Sequence, residues 1–195
     1  MKLLIKLLSI LLMNAFTNAD QAKALTYYEK FATAVEYYQD GRFRLAEARL
    51  TNILIYEKDY RDPAAQLILA KSQYQQKRWD DARRSCKSVL SNFSGSPYET
   101  DAIVLLGDIA LASGKVTTAF QHYLSVRTLV EDLLYLNDID KRLYTCIGIG
   151  LKEERVEGLL FRERDSFNRE IINLARAYQS WKNGDSYDLV MILKS

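Results

Sequence analysis

The stretch GRFRLAEARLTNIL, residues 41–54, decides the fold because its pattern returns twice along the chain. It recurs as KRWDDARRSCKSVL, residues 77–90, and more faintly as GKVTTAFQHYLSVR, residues 114–127. Four columns keep the same character in the three copies: Phe43, Trp79 and Val116; Ala46, Ala82 and Ala119; Leu50, Cys86 and Tyr123; Ile53, Val89 and Val126. Offsets of 3, 4 and 7 residues between these columns place them on one face of a helix. The sequence therefore predicts three copies of one amphipathic helix.

A partner helix is predicted in front of each copy. TYYEKFATAVEYYQD, AAQLILAKSQYQQ and YETDAIVLLGDIALAS lead into the three copies, and a small residue stands twelve places before the conserved alanine, at Ala34, Ala70 and Gly107. Small residues in facing columns let two helix backbones approach closely, so we expect three helical hairpins. The copies are 36 and 37 residues apart, a period typical of stacked helix pairs. Pro63 and Pro97 lie in the linkers between hairpins, where proline is tolerated.

These columns resemble tetratricopeptide repeats over residues 26 to about 130, and the irregular copies are similar to exported bacterial repeat proteins. The resemblance implies an all-α fold, a right-handed superhelix of antiparallel helix hairpins, and a role in holding other proteins. We predict three hairpins over residues 20–135, followed by a degenerate repeat and capping helices over residues 136–183. In the second of these parts an apolar stripe at helical spacing predicts a closing helix: Phe167, Ile171, Leu174, Ala175 and Tyr178.

The two ends of the chain have patterns of their own. MKLLIKLLSILLMNAFTNAD reads as a secretory signal over residues 1–19, with a signal anchor that stays attached as the alternative. Residues 184–195 contain the apolar run Leu189 to Leu193, which suits either a buried β-strand or a tail that docks on the last helix. The strand would resemble the start of a periplasmic ligand-binding domain of the penicillin-binding-protein-activator kind. We therefore expect an exported, periplasmic protein.

Charge and composition exclude several classes of function. Without residues 1–19, which hold two lysines and no acid, the formal net charge falls from +2 to zero, which argues against nucleic acid or an anionic membrane as partner. The one histidine, His122, has no neighbouring nucleophile or carboxylate pattern, so a structural role is favoured. Cys86 and Cys146 lack the spacing of a zinc site and are expected as buried thiols in preference to a disulfide. We predict no enzyme, no cofactor and no metal site.

The remaining candidate site is the groove that the first helices of the hairpins would line in the family resembled. The residues predicted to face it and bind a partner are Tyr28, Phe31, Tyr38, Lys71, Tyr74 and Asp108. Tyrosine offers apolar area and a hydroxyl at low entropic cost, although the rings could instead pack between hairpins. The lysines and asparagines that clamp carboxylate tails in some repeat proteins are missing, which favours an apolar helix or peptide as guest.

The predicted function is a non-catalytic interaction scaffold of the bacterial cell envelope. The alternative is the repeat region of a truncated ligand-binding protein.

Overall fold

A computed structural model describes residues 26–56 and 62–184, which are all-α and contain no β-strand within those ranges. Nine helices lie in the described residues: α1 (26–39), α2 (Phe43–Tyr56), α3 (Pro63–Gln75), α4 (Trp79–Asn92), α5 (Glu99–Ala112), α6 (Val116–Arg127), α7 (Leu133–Ile149), α8 (Glu153–Arg162) and α9 (Ser166–Asn183). They form two compact units, divided between Ser85 and Cys86 within α4. The predicted signal and the apolar run at Leu189 lie outside the described residues. None of the described helices is long and apolar enough to cross a membrane.

Three of the four repeated columns are buried as the sequence predicts, and the column of Phe43, Trp79 and Val116 is half-buried. The alanine column, the column of Leu50, Cys86 and Tyr123, and the column of Ile53, Val89 and Val126 are all completely buried. The small residues of the preceding helices, Ala34, Ala70 and Gly107, are buried as well. The periodicity therefore identified the packing face of every repeated helix.

The three turns inside the hairpins share one backbone conformation. Gly41, Gly114 and the non-glycine residue Lys77 all have positive φ angles, of 74°, 72° and 61°. Each donates its N–H to the carbonyl three residues earlier: Gly41 to Tyr38 (3.1 Å), Lys77 to Tyr74 (2.9 Å) and Gly114 to Leu111 (2.9 Å). This left-handed residue satisfies a carbonyl at the helix end and reverses the chain. Lys77 adopts a conformation that a β-carbon disfavours.

The first unit is held together by apolar contacts and by shared carboxylates, one of which is Asp62. Ala34, Leu50, Ala65 and Leu69 form its buried cluster, and Phe31 packs against it. Asp62 caps α3 by accepting the Ala64 N–H (2.7 Å) and also accepts the Tyr27 hydroxyl (2.5 Å). One side chain therefore starts α3 and ties it to α1.

The second unit has a larger core, built from α5 to α9. Its fully buried side chains include Phe120 and Tyr123 of α6, Ile139 and Leu143 of α7, Val156 of α8 and Ile172 of α9. Within α9 the buried face differs from the predicted stripe. Asn168, Ile171, Ile172 and Ala175 are buried, whereas Phe167 and Leu174 are exposed. The Asn168 side-chain amide donates to the Leu124 carbonyl (3.3 Å), which turns this polar residue inward in place of Phe167.

The third hairpin packs its column differently from the first. A β-carbon at Gly107 would lie closer than 3.0 Å to three atoms of the Tyr123 ring. Tyr123 is fully buried, so its ring occupies the space that a side chain at position 107 would need. The small and the large residue of this hairpin are therefore matched in size, with glycine facing tyrosine where Ala34 and Leu50 share the cluster in the first hairpin.

Candidate functional site

Helix α1 carries three of the predicted groove residues, and the structure gives them different surroundings. Tyr28 is 63% exposed and meets Tyr27 edge to face, with ring centroids 5.4 Å apart. Phe31 is half-buried, stacks on Tyr27 at 6.2 Å and packs against the core of the first unit. Tyr38, at the end of α1, is half-buried against Phe43 at 5.6 Å. Tyr28 and Tyr38 thus present ring surface to solvent, whereas Phe31 contributes mainly to packing.

Helix α3 repeats part of this arrangement 36 residues later. Tyr74 is half-buried and lies 5.2 Å from Trp79, just as Tyr38 lies against Phe43. Lys71 is half-buried one helical turn before Tyr74. We call the surface formed by Tyr28, Tyr38, Lys71 and Tyr74 the tyrosine face. All four residues belong to the first unit.

Asp108, the remaining predicted groove residue, belongs to the second unit and takes part in a polar network. Its Oδ1 atom accepts the Tyr123 hydroxyl (2.8 Å) and the Nε–H of Arg142 (2.9 Å). Arg142 also forms an ion pair with Asp138. Burial, together with the charge of Asp108, raises the pKa of the Tyr123 hydroxyl, so this group remains a protonated donor. Asp108 therefore links α5, α6 and α7 within the second unit.

A polar register between α5 and α7 was missed in the sequence. The Tyr135 hydroxyl donates to Asp101 (2.5 Å), and Arg142 donates to Asp108 (2.9 Å). Both pairs are separated by 34 residues, and the two members on each helix stand seven residues apart. A search for repeated polar spacing, in addition to the apolar columns, could have found this register. Burial and the bond to Asp101 raise the pKa of the Tyr135 hydroxyl in the same way.

Groups with the chemistry of a reactive site are scarce in the part of the chain that the structure describes. No cluster of three or more histidine, cysteine, aspartate or glutamate side chains could hold a metal ion there. His122 is half-buried, and burial lowers its pKa. Cys86 and Cys146 are both buried as thiols, and burial, with the charge of Asp108, raises the pKa of Cys146 to about 12. A thiol with such a pKa is a poor nucleophile at neutral pH.

One family model and two solved structures are similar to this chain. Residues 31–97, about a third of the chain, match the family model of the tetratricopeptide repeat, and the match runs from α1 to the linker after α4. Two crystal structures of nearly identical TPR-like repeats, from a Podosopora anserina protein named for the kinesin light chain, are similar with a TM-score of 0.47. They are 14% and 16% identical, and each alignment covers 85% of this chain and 90% of the other. No curated protein matches the sequence.

Proposed function

We propose that this chain is a non-catalytic interaction scaffold of the bacterial cell envelope, which binds an apolar peptide or helix of a partner protein on the tyrosine face. One observation carries the proposal. Two equivalent tyrosines, Tyr38 and Tyr74, stand at the same position of successive repeats and remain half-exposed after packing. Tetratricopeptide repeats match this part of the chain, and binding other proteins is typical of such repeats.

The tyrosine face is well suited to binding because its rings are already held in place. Tyr38 lies against Phe43 and Tyr74 against Trp79, so each half-exposed ring is supported by a second ring. A ring fixed before binding loses little conformational freedom when a partner covers it. Tyr28 and Tyr38 also offer hydroxyls that can donate to a backbone carbonyl of the guest.

The chemistry of this face favours a guest with apolar side chains. Tyr28, on α1, adds a third ring to the face, and this ring is exposed. Lys71 is the only cation among the four side chains of the face. Large aromatic surfaces bind apolar anchors, whereas a guest rich in carboxylates would need several cations. Asp108 is engaged by Tyr123 and Arg142, so it is assigned a structural role in this proposal.

The envelope location rests on residues 1–19 and is tested separately. Lys2 and Lys6 precede a short apolar run, and small residues follow it at the predicted cleavage site. We expect the chain in the periplasmic fraction of the source bacterium, with its amino terminus beginning at Asp20. Amino-terminal sequencing of the purified native protein decides this, and a chain that still begins at Met1 would contradict it.

The binding proposal is tested with matched tyrosine variants. Tyr28→Ala and Tyr74→Ala together remove one exposed and one half-buried ring of the face, whereas Tyr56→Ala removes a tyrosine that is 73% exposed on α2, outside the face. We expect the double variant to lose the envelope proteins that co-purify with the parent chain, and the control to retain them. Circular dichroism checks that both variants stay folded. Equal retention by the two folded variants would overturn the proposed face.

A further inference from the structure

A cavity of about 250 Å³ lies between the beginning of α6 and the beginning of α8, both in the second unit. The polar side chains that line it come from these two helices and from the residues just before them: Lys115, Thr117, Thr118, Gln121, Lys152 and Arg155. Three of the six are cations, and none of the described residues that line the cavity is acidic. The lining therefore has an excess of positive charge, and we call this space the basic cavity.

The three cations of the basic cavity have no ion-pair partner within residues 26–56 and 62–184. By contrast, Arg127, Arg142 and Arg176 of the same unit each contact a carboxylate, at 2.6, 2.9 and 2.6 Å. A cation that no carboxylate of the protein neutralises can form charge-assisted hydrogen bonds to a ligand. The charges that line the basic cavity are therefore available to an anion.

A hydrogen bond joins the two sides of the basic cavity. The backbone N–H of Lys152 donates to Oγ1 of Thr117 (3.3 Å). A hydroxyl that accepts a hydrogen bond still has its own proton to donate, so Thr117 can hold the beginning of α8 and also donate to a ligand. The first turn of α6 contains no acidic residue, and the side chain of its N-cap Lys115 caps no backbone N–H. The positive end of the helix dipole therefore adds to the attraction of the cations for an anion.

We propose that the basic cavity binds a phosphate group, either as inorganic phosphate or as a phosphate monoester. A phosphate monoester carries a charge of about −1.5 to −2 near pH 7 and three strong acceptor oxygens. Three cations and two threonine hydroxyls match these acceptors more fully than they match the two oxygens and single charge of a carboxylate.

The size of the basic cavity limits the ligand to a small one. Its volume corresponds to about eight water molecules, at roughly 30 Å³ each. One phosphate group with a short substituent fits this space, whereas a folded protein or a nucleic-acid strand does not. The site belongs to the second unit, so it does not depend on the tyrosine face of the first unit.

Titration of the complete chain with inorganic phosphate, followed in nitrogen–proton correlation spectra, tests the proposal. We expect saturable shifts of the Thr117 and Thr118 amide resonances, because these residues line the cavity. Arg155→Gln and Lys152→Gln should each weaken binding by about tenfold, since each removes one charge-assisted contact. Lys141→Gln is the matched control, because it removes an exposed cation of α7 that does not line the cavity. This variant should bind phosphate as the parent chain does.

Two further probes identify the source of the phosphate group. Glycerol 3-phosphate represents a soluble monoester, and phosphatidylcholine vesicles that contain phosphatidic acid represent a membrane lipid. Sedimentation with these vesicles that is lost in Arg155→Gln would assign the phosphate to a lipid headgroup. Saturable binding of glycerol 3-phosphate without such sedimentation would assign it to a soluble ligand. Either result supports a phosphate site in the basic cavity.

Three outcomes would overturn the proposal. The first is the absence of saturable binding of every phosphate probe to the parent chain. The second is an equal loss of affinity in Arg155→Gln and Lys141→Gln, which would reveal attraction by net charge alone. The third is binding of acetate as tight as that of phosphate, which would assign the cavity to carboxylates. Circular dichroism of each variant confirms that the helices are retained, so that a change in affinity reports the cavity.

Discussion

The first and third hairpins place their aromatic rings at different positions of the same repeat. In the first, the ring pair Tyr38 and Phe43 lies at the turn between the helices, and the middle of the hairpin packs Leu50. In the third, Leu111 and Val116 stand at the turn, and the ring of Tyr123 fills the middle opposite Gly107. The buried hydroxyl of Tyr123 then requires Asp108 as acceptor.

This difference determines which aromatic rings keep surface exposed to solvent. The rings at the turns, Tyr38 and Tyr74, stay half-exposed, whereas the ring of Tyr123 in the middle of the third hairpin is fully buried. Asp108 accepts hydrogen bonds from Tyr123 and Arg142, because the buried Tyr123 hydroxyl requires an acceptor. The proposed binding surface therefore lies in the first unit, whereas the second unit contains a polar register and a larger core.

The largest effect is expected from a substitution that disrupts the size match between Gly107 and Tyr123 in the third hairpin. Gly107→Ala places a β-carbon against the Tyr123 ring and should lower the free energy of unfolding by about 1–3 kcal/mol, the usual cost of overpacking. In a chain that also carries Tyr123→Leu, the same change should be neutral or stabilising, since alanine is the better helix former. Denaturant unfolding of the four chains measures the coupling. Additive effects would show that the two positions do not compete for space.

A smaller effect on stability is expected from substitutions at the left-handed residue of the hairpin turns. Lys77 has the left-handed conformation that glycine provides in the other two copies. Lys77→Gly should raise the free energy of unfolding by about 1 kcal/mol, because it removes the clash of the β-carbon with the following carbonyl. Gly114→Lys, the reverse exchange in the third hairpin, should lower it by a similar amount. Thermal melting of both variants measures the two shifts, and equal signs would contradict the assignment.

The smallest expected effect concerns the pH dependence of the third hairpin. Burial lowers the pKa of His122 in the folded chain, so the unfolded chain binds a proton first as the pH falls. The free energy of unfolding should therefore decrease as the pH drops below about 6.5, the usual pKa of histidine. His122→Gln should remove this part of the slope. Proton resonances of the single histidine report its folded pKa, which would contradict the account if it lay above 6.5.

Much of the fold could be predicted because it depends on contacts that repeat. The columns of Ala46, Leu50 and Ile53 return at a fixed period, and a period of this length is produced by stacked hairpins. The buried face of α9 could not be read in the same way. Its Asn168 side chain is turned inward by a bond to the Leu124 carbonyl, 44 residues away. A single tertiary hydrogen bond of this kind leaves no periodic signal.

The candidate site was predicted less completely than the fold. Tyr38 and Tyr74 occupy one column, and the structure keeps both half-exposed at equivalent turns. The environment of Asp108 depends on Arg142, 34 residues later on another helix, so the local spacing around α5 could not indicate that its carboxylate is engaged. The binding role of Tyr38 and Tyr74 stays a prediction.

Site-specific photo-crosslinking from position 74 in living cells tests the central claim most directly. A photoreactive phenylalanine analogue replaces Tyr74 in one chain and Tyr56 in another, and the crosslinked peptides are identified by mass spectrometry. The account predicts that position 74 captures one envelope protein through a stretch of apolar residues, while position 56 captures none. An adduct of equal yield from both positions, or a guest segment dominated by carboxylates, would contradict it.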